Sequence, residues 1–282
     1  MNYRHAFHAG NFADVMKHAL LVRILLYLQR KETPLRVIDT HAGIGLYDLA
    51  GDEAGRTGEW VDGIGRLDEA FSPEVEAILE PYRQVVAGIR TRHGPSIYPG
   101  SPGILRELLR WQDRGVFVEL HPADYGTLNE TFNTVANLKV MHLDGWTALH
   151  ALIPPKEKRG LVLIDPPYEQ PNELERLGTE ILTALGKWET GVYAGWYPIK
   201  SLAPVDALMK RLDAESPRPG LRLELLVDDP REPARLNGSG LVVFNPPWTL
   251  REEAEILLPA LAERLSQGSY AGYRCEAFGP AA

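Results

Sequence analysis

The chain has 282 residues, of which 44% are hydrophobic and 24% are charged. These proportions are those of ordinary globular proteins and exclude disordered, collagen-like and coiled-coil classes. Its 30 Lys and Arg against 38 Asp and Glu give a net charge of −8. This negative charge argues against nucleic-acid binding driven by the overall charge of the protein. Local basic clusters can still bind phosphates. The single cysteine, Cys275, excludes an intramolecular disulfide and a multi-cysteine zinc site, and favours the reducing cytoplasm.

The first predicted element is an amphipathic helix over 14–29, behind a polar start at Asn11. Its apolar stretch, 19–28, is about half the length of a membrane span, so we expect neither a signal peptide nor a membrane anchor. Seven short β-type runs follow, most of them separated by helical stretches. They are 35–39, 116–119, 138–142, 161–165, 191–196, 221–227 and 241–244.

This alternation predicts an α/β fold with a seven-stranded, mostly parallel sheet covered by helices on both faces. The last two strands are joined by an irregular loop, 228–240, and are expected to be antiparallel. About 80 residues separate the ends of the first two strands, where a βαβ unit needs about 30. Residues 51–98 contain two or three predicted helices, one opened by Pro73 and interrupted by Pro81, and no predicted strand. We therefore expect a helical subdomain, 51–98, inserted into a core formed by 1–50 and 99–282.

A glycine-containing turn follows the first strand and precedes a predicted helical stretch. Its sequence is Asp39-Thr40-His41-Ala42-Gly43-Ile44-Gly45. Two glycines allow a ligand to approach the backbone closely at this edge of the sheet. A dinucleotide site would have Gly or Ala at position 48, where Asp48 stands. The pattern thus favours S-adenosylmethionine (SAM), with another nucleotide or a tight structural turn as alternatives.

Acidic residues also end the next two strands. Glu119 stands where a doubly wound fold places a carboxylate that accepts hydrogen bonds from ribose hydroxyls, and Asp144-Gly145 is placed to meet an adenine edge. Each acid alone is compatible with a solvated strand end or a helix cap. Together with Asp39, they favour a cofactor site.

The most specific motif is Asp165-Pro166-Pro167-Tyr168, after the fourth strand. It resembles motif IV of amino-methyltransferases, which act on exocyclic nitrogens such as N6 of adenine. The Asp165 carboxylate and the Pro166 carbonyl can accept hydrogen bonds from that amino group, and Tyr168 offers a flat face to an unstacked base. A plain Pro-Pro turn is the alternative. A second copy, 245–248, follows the seventh strand, away from the first strand, and is expected to form a wall of the substrate pocket.

Three histidines, His5, His8 and His18, lie near the start of the chain. A metal site with Asp14 can be drawn from them, but their spacing matches no metal motif. The alternatives are a capped helix with exposed histidines and a segment that faces a ligand or RNA. Basic residues form three clusters, each of which alone is typical of a solvated face. They are Arg83, Arg90, Arg92 and His93; Arg106, Arg110 and Arg114; and Lys156, Lys158 and Arg159.

Taken together, the motifs resemble the RlmJ family of bacterial 23S ribosomal RNA adenine-N6 methyltransferases. The resemblance runs from residue 3 to residue 248 and is carried by 3–18, 39–43, 56–59, 98–102, 119–122 and 165–168. It implies a Rossmann-like methyltransferase core with a helical insertion after the first strand. It also implies SAM as cofactor and direct methyl transfer without a covalent enzyme intermediate or a metal.

The candidate site residues fall into three groups. For catalysis they are Asp165, Pro166 and Tyr168. For SAM binding they are Lys17, His18, His41, Gly43, Ser101, Glu119, Asp144, Gly145 and Asp165. For the RNA substrate they are Tyr3 and Tyr168. Ser101 is also compatible with an ordinary helix N-cap, and no role is assigned to 251–282.

We expect a cytoplasmic monomer that acts on 23S rRNA, with no membrane association and no obligate protein partner. Two rival functions are retained. One is a DNA adenine-N6 methyltransferase, which shares motif IV. The other is a non-catalytic RNA-binding protein with the same fold, against which the intact Asp165-Pro166-Pro167-Tyr168 motif argues.

Overall fold

Ten strands and nine α-helices form the part of the chain, 4–232 and 235–281, that the computed structural model describes. The strands are β1 (Arg36–Asp39), β2 (Leu46–Asp48), β3 (Ile97–Pro99), β4 (Arg114–Glu119), β5 (Leu138–His142), β6 (Gly160–Ile164), β7 (Val192–Ile199), β8 (Gly220–Leu226), β9 (Gly238–Phe244) and β10 (Gly272–Phe278). The helices are α1 (Phe12–Leu28), α2 (Asp52–Thr57), α3 (Pro73–His93), α4 (Ser101–Leu108), α5 (Pro122–Phe132), α6 (Gly145–Ala151), α7 (Glu173–Lys187), α8 (Leu202–Glu215) and α9 (Leu250–Arg264).

The large sheet has the strand order β10-β8-β9-β7-β6-β1-β4-β5. Strands β5, β4, β1, β6 and β7 are parallel, whereas β9 is antiparallel to both β7 and β8. The α/β class, the seven predicted strands and the antiparallel last pair are confirmed, but the predicted number is wrong because β10 adds an eighth strand. Strand β10 lies at the sheet edge, half exposed, and its mixed polar sequence lacks the apolar run of an interior strand.

The fourth predicted strand, β6, is a direct neighbour of β1. Asp165 therefore follows the carboxyl end of β6 beside the turn at Asp39, as predicted. The second Pro-Pro motif lies elsewhere. Because β9 is antiparallel to β7, Asn245 comes at the edge where the parallel strands begin, and its Nδ2 donates to the carbonyls of Glu189 and Gly191. The expectation that this motif forms a wall of the substrate pocket is wrong.

Helix α1 lies inside the molecule. Its start is capped by Asn11, whose side chain accepts hydrogen bonds from the backbone N–H groups of Ala13 and Asp14. The prediction of an amphipathic helix is wrong, since 14 of its 17 residues are buried. Helices α3, α4 and α9 and strand β9 all pack against it. The polar side that the sequence pattern assigns to water faces His5, Tyr98 and Asp165 instead, and the side chains on it, Asp14, Lys17 and His18, are buried.

The long connection between β1 and β4 begins with a strand. The turn ending at Gly45 leads into β2, not into the predicted helix, and β2 pairs with β3 in a small antiparallel sheet. The expectation of no strand within 51–98 is therefore also wrong. Pro73 opens α3 as predicted, but Pro81 lies inside this 21-residue helix and does not interrupt it. The flanking residues Leu79 and Tyr82 are fully buried, and their packing offsets the one hydrogen bond that proline removes.

We propose that 51–98 is a subdomain inserted into a core of 1–50 and 99–282. Helices α2 and α3 and two short 3-10 helices, Glu59–Asp62 and Ile64–Leu67, occupy most of this segment. Its longest element, α3, packs on α1, α4 and α9. Among the helices that the structure describes, none is long and apolar enough to cross a membrane.

Candidate active site

A cavity of about 320 Å³ lies at the carboxyl ends of β1, β4, β5 and β6, within the range of small-molecule sites. The sheet topology brings together residues that are far apart in the chain, such as Lys17 and Asp165, which are 148 positions apart. Ten of the candidate site residues line it. They are Lys17, His18, His41, Gly43, Ser101, Glu119, Asp144, Gly145, Asp165 and Pro166.

The glycine turn is tied to the acid that ends β4. Gly43 has a left-handed φ of 60°, and a Cβ atom there would lie 2.2 Å from the Tyr47 hydroxyl. Its N–H donates to Glu119 Oε2 at 2.8 Å, and the His121 N–H donates to Glu119 Oε1 at 2.7 Å. Burial raises the pKa of Glu119, although these backbone bonds oppose the shift. Glu119 also lines the cavity, where its carboxylate oxygens can accept further hydrogen bonds from a ligand.

The segment after β5 approaches the glycine turn closely. A Cβ atom at Gly145 would lie 2.3 Å from the Thr40 carbonyl and 2.7 Å from the His41 ring, so only glycine fits here. Asp144 caps α6 by accepting from the Thr147 N–H. The His41 ring lies edge-on to Trp146, with centroids 5.3 Å apart, and burial lowers the pKa of His41 to about 4. The His41 imidazole is therefore uncharged at neutral pH, and with Trp146 it forms an aromatic wall of the cavity.

Asp39 and Ser101 form a buried pair beneath the cavity. The Ser101 hydroxyl donates to Asp39 Oδ2 at 2.6 Å. Ser101 is the first residue of α4 and does not cap it, since Gly100 is the N-cap and offers no side chain. The N-cap alternative for Ser101 is therefore wrong. Burial raises the pKa of Asp39 to about 7, despite this hydrogen bond.

A buried lysine joins two carboxylates at the centre of the site. Lys17 Nζ lies 2.5 Å from Asp165 Oδ2 and 2.9 Å from Asp14 Oδ1. Burial disfavours the charged form of Lys17, but attraction from both carboxylates outweighs it and raises the pKa of the ammonium group. Burial likewise disfavours the Asp14 carboxylate, and the nearby positive groups outweigh it, so the pKa of Asp14 lies well below its usual value. The ammonium group also lies 5.6 Å from the centroid of Trp196.

Tyr168 lies beside the cavity and is packed against the sheet. Its φ is 54°, a strained value for a residue with a side chain. Its hydroxyl donates to the Trp196 carbonyl at 2.6 Å, and the two rings meet edge-on at 5.6 Å. These contacts hold the turn that presents Asp165. The stacking role predicted for Tyr168 stays a prediction.

The histidines near the chain start have separate partners. His18 is fully buried and its Nδ1 lies 2.8 Å from the Tyr98 hydroxyl, so the alternative of exposed histidines is wrong for His18. Burial lowers the pKa of His18 to about 3. His5 pairs with Asp14, and His8 with Glu59. Within 4–232 and 235–281, no group of three or more His, Cys, Asp or Glu side chains is arranged to hold a metal. Tyr3 lies outside the described residues.

Sequence reasoning did not assign Asp14 or Trp196 to this site. The sequence offers Asp14 only as a possible metal ligand. Asp14 precedes Lys17 by three residues, and residues three apart share a helix face. This spacing is the signal that links Asp14 to Lys17. Trp196 carries no such signal. It reaches the site through the pairing of β7 with β6, which a single sequence does not reveal.

The sheet order and the cavity at the carboxyl ends of its parallel strands define a Rossmann-like methyltransferase fold. Residues 32–276 match the model of the family described as "Ribosomal RNA large subunit methyltransferase D, RlmJ". This protein belongs to that family.

Two curated relatives and one solved structure are similar over nearly the whole chain. The chain is 40% identical over 268 residues to Ribosomal RNA large subunit methyltransferase J of Haemophilus influenzae. It is 39% identical over 265 residues to the protein of the same name from Escherichia coli. Each alignment covers 94% of both proteins. The crystal structure of protein LPL1258 from Legionella pneumophila is 34% identical, with a TM-score of 0.85, and the match covers 96% of this chain and 98% of that one.

Proposed function

We propose that this protein transfers a methyl group from SAM to N6 of an adenine in 23S ribosomal RNA. The observation that carries the proposal is the position of Asp165. It follows β6 directly beside β1 and lines the same cavity as Glu119 and Asp144. An acceptor for an amino group and the carboxylates of a nucleoside site thus share one cavity. The names of the two curated relatives support a ribosomal RNA substrate.

The residues of the cavity fit SAM. The Glu119 carboxylate can accept hydrogen bonds from ribose hydroxyls, and the aromatic wall at His41 and Trp146 suits an adenine ring. Gly43 and Gly145 line the cavity without side chains, so backbone can lie against the cofactor. When bound, SAM supplies an electrophilic methyl carbon on a sulfonium centre.

Asp165 and Pro166 are proposed to hold the target amino group. The N6 lone pair is delocalised into the adenine ring, so acceptors that engage its N–H groups favour the pyramidal, nucleophilic form. Lys17 engages Oδ2 of Asp165, and Oδ1 accepts no hydrogen bond from the residues that the structure describes. We assign Oδ1 and the Pro166 carbonyl to the two N–H groups. Fixed acceptors at the reacting nitrogen contribute to catalysis through orientation and electrostatics.

The experiment that tests this proposal compares nucleic acids. Purified protein and labelled SAM are incubated with deproteinised 23S rRNA, with an RNA oligonucleotide that contains the modified adenine, and with DNA of the same sequence. We expect N6-methyladenosine in both RNAs and none in DNA. Faster methylation of DNA would favour the DNA methyltransferase, and RNA binding without consumption of SAM would favour the non-catalytic protein.

We also propose that the protein acts as a monomer in the cytoplasm without an obligate protein partner. Analytical ultracentrifugation tests this directly. A single species near 31.4 kDa is expected, and a species of twice that mass at micromolar concentration would contradict it.

A further inference from the structure

Three segments meet at the sheet edge opposite the cavity, because they precede the parallel strands β1, β4 and β6. They are 29–36, 109–114 and 153–160. Together they contain eight Lys and Arg but only three Asp and Glu, a local charge of +5 in a chain of net charge −8. We call these eight cations the basic edge. They are Arg30, Lys31, Arg36, Arg110, Arg114, Lys156, Lys158 and Arg159.

Hydrogen bonds show that the three segments form one surface. Arg159 donates to the Leu28 carbonyl at 2.6 Å and to the Thr33 hydroxyl at 3.0 Å. Arg110 donates to the carbonyls of Lys31 and Thr33 at 3.0 and 3.3 Å. The two guanidinium groups thus bind the same turn from either side. Burial and the charge of Arg110 both lower the pKa of Arg159, which indicates that the positive charges here are only partly compensated.

Some cations of the basic edge are ion-paired within the protein, and others are exposed and can bind a ligand. Arg110 pairs with Asp113, and Arg36 pairs with Glu157. In contrast, Lys31, Lys156 and Lys158 are exposed, and their ammonium groups form no ion pair with any residue the structure describes. Exposed ammonium groups without ion-pair partners, gathered on one surface, are typical of phosphate-binding surfaces.

An exposed tryptophan stands on the same edge. Trp111 lies in the turn between α4 and β4 and is 85% exposed. Its carbonyl accepts a hydrogen bond from Arg114 at 2.9 Å, which holds it next to the cations. A large aromatic ring left in water beside positive charge is the combination that single-stranded nucleic acid uses, with phosphates on the cations and bases stacked on the ring.

We propose that the basic edge, with Trp111, binds a second segment of the ribosomal RNA substrate. The phosphates lie on Lys31, Lys156 and Lys158, and an unpaired base stacks on Trp111. The inference rests on the proposed function, since it takes RNA to be the substrate. Strands of four to five residues separate this edge from the cavity, a distance of roughly 15 Å. A hairpin too short to span this distance contacts only the cavity, whereas a long, folded rRNA fragment is able to contact both the cavity and the edge.

The test uses two edge variants, each with a matched control. Lys156→Gln/Lys158→Gln is compared with Lys210→Gln/Arg211→Gln, which removes two charges from α8. Trp111→Ala is compared with Trp248→Ala, a residue that is 82% exposed and follows β9, four strand positions from β4. Binding and methylation are measured on a hairpin that contains the target adenine and on a long rRNA fragment that contains the same hairpin. Melting temperatures check that all four variants fold.

For the long fragment, Kd should rise about tenfold in Lys156→Gln/Lys158→Gln, and the slope of log Kd against log salt should become shallower by about 1. Trp111→Ala should raise Kd several-fold, and both controls should behave like wild type. On the hairpin, all variants should match wild type in Kd and kcat. If the edge variants bind the long fragment as tightly as their controls, the inference is wrong. The same result is expected if the edge binds an acidic protein instead of RNA. If wild type methylated neither RNA, only the proposed function would fail, because the binding data still decide the role of the edge.

Discussion

Lys17 Nζ lies 2.5 Å from Asp165 Oδ2. This ion pair links helix α1 to the motif 165–168, which begins 148 residues later in the chain. Both side chains are largely buried, at 4% and 14% exposure, and the same ammonium group binds Asp14. Burying charges is costly unless each is paired and hydrogen-bonded. The pairing therefore holds Asp165 in one orientation, and it explains why a helix at the start of the chain belongs to the site.

Replacing Lys17 by Met should impair both stability and catalysis. It leaves the largely buried Asp165 carboxylate without its counter-charge and Asp14 with His5 as its remaining charged partner, and breaking such a buried pair costs about 3 to 5 kcal/mol. Methyl transfer should fall about 100-fold because Asp165 is no longer fixed. Urea unfolding and single-turnover rates at saturating SAM measure the two effects.

A second variant separates these effects of the Lys17 substitution. Asp14→Asn/Lys17→Met also removes the buried charge of Asp14 that Lys17 no longer balances, so it should recover part of the stability. It should recover none of the activity, because Asp165 still lacks Lys17. Normal single-turnover rates in either variant would show that the ion pair is not needed for methyl transfer.

The two Pro-Pro motifs should respond very differently to mutation. Asp165→Ala removes the proposed acceptor for the N6 amino group and should reduce single-turnover methylation by at least about 100-fold. Asn245→Ala is the matched control, since Asn245 lies at the opposite sheet edge and its side chain donates to the backbone carbonyls of Glu189 and Gly191. It should cost stability but little activity. Equal inactivity of the two variants with native melting behaviour would refute the assignment of Asp165.

Asp39 should make the protein less stable as pH rises through the mildly acidic range. Burial raises the pKa of Asp39 from 3.8 to about 7. The native state therefore keeps a proton that the unfolded chain releases above pH 4. This contribution to stability is fully present below about pH 4 and is lost as pH rises through 7. A shift of that size corresponds to about 4 kcal/mol.

Asp39→Asn removes this titration. The free energy of unfolding of the variant, relative to wild type, should therefore increase between pH 4.5 and 7.5. His18 and His41 act in the opposite sense, because burial lowers their pKa values to about 3 and 4 and their contribution is lost as pH falls. Both histidines are present in both proteins, so the difference isolates Asp39. A difference that does not change with pH would show that Asp39 titrates normally.

Tyr3→Ala tests the N-terminal segment. Truncating a side chain near a terminus costs little stability, so the melting temperature should not change. Methylation should nevertheless fall at least about tenfold if the ring contacts the substrate. Unchanged turnover would remove Tyr3 from the set of substrate residues.

Strong local patterns made most of the fold and much of the site predictable. Seven apolar runs predicted seven strands, and the acids that end them, such as Glu119 and Asp144, meet at one cavity because parallel strands share a carboxyl edge. The edge strand β10 escaped prediction because it is half exposed and contains Arg274 and Glu276, which leave no apolar run to detect.

Other features depend on contacts between distant segments. The burial of α1 follows from the helices that cover it, not from its own periodicity. The position of Asn245 follows from the antiparallel direction of β9, which reverses the edge at which its motif emerges. The pair of Asp39 and Ser101 joins residues 62 positions apart. No local pattern records such contacts, and only the folded chain brings these residues together.

Nucleoside mass spectrometry of 23S rRNA tests directly whether this protein methylates N6 of an rRNA adenine and whether Asp165 is needed for it. Cells that lack this protein are complemented with wild type, Asp165→Ala or Asn245→Ala, and N6-methyladenosine is mapped along the rRNA. We expect one adenine to lose N6-methylation in cells without the protein. Wild type and Asn245→Ala should restore this methylation, and Asp165→Ala should not. An unchanged methylation map in cells without the protein, or full restoration by Asp165→Ala, would contradict these expectations.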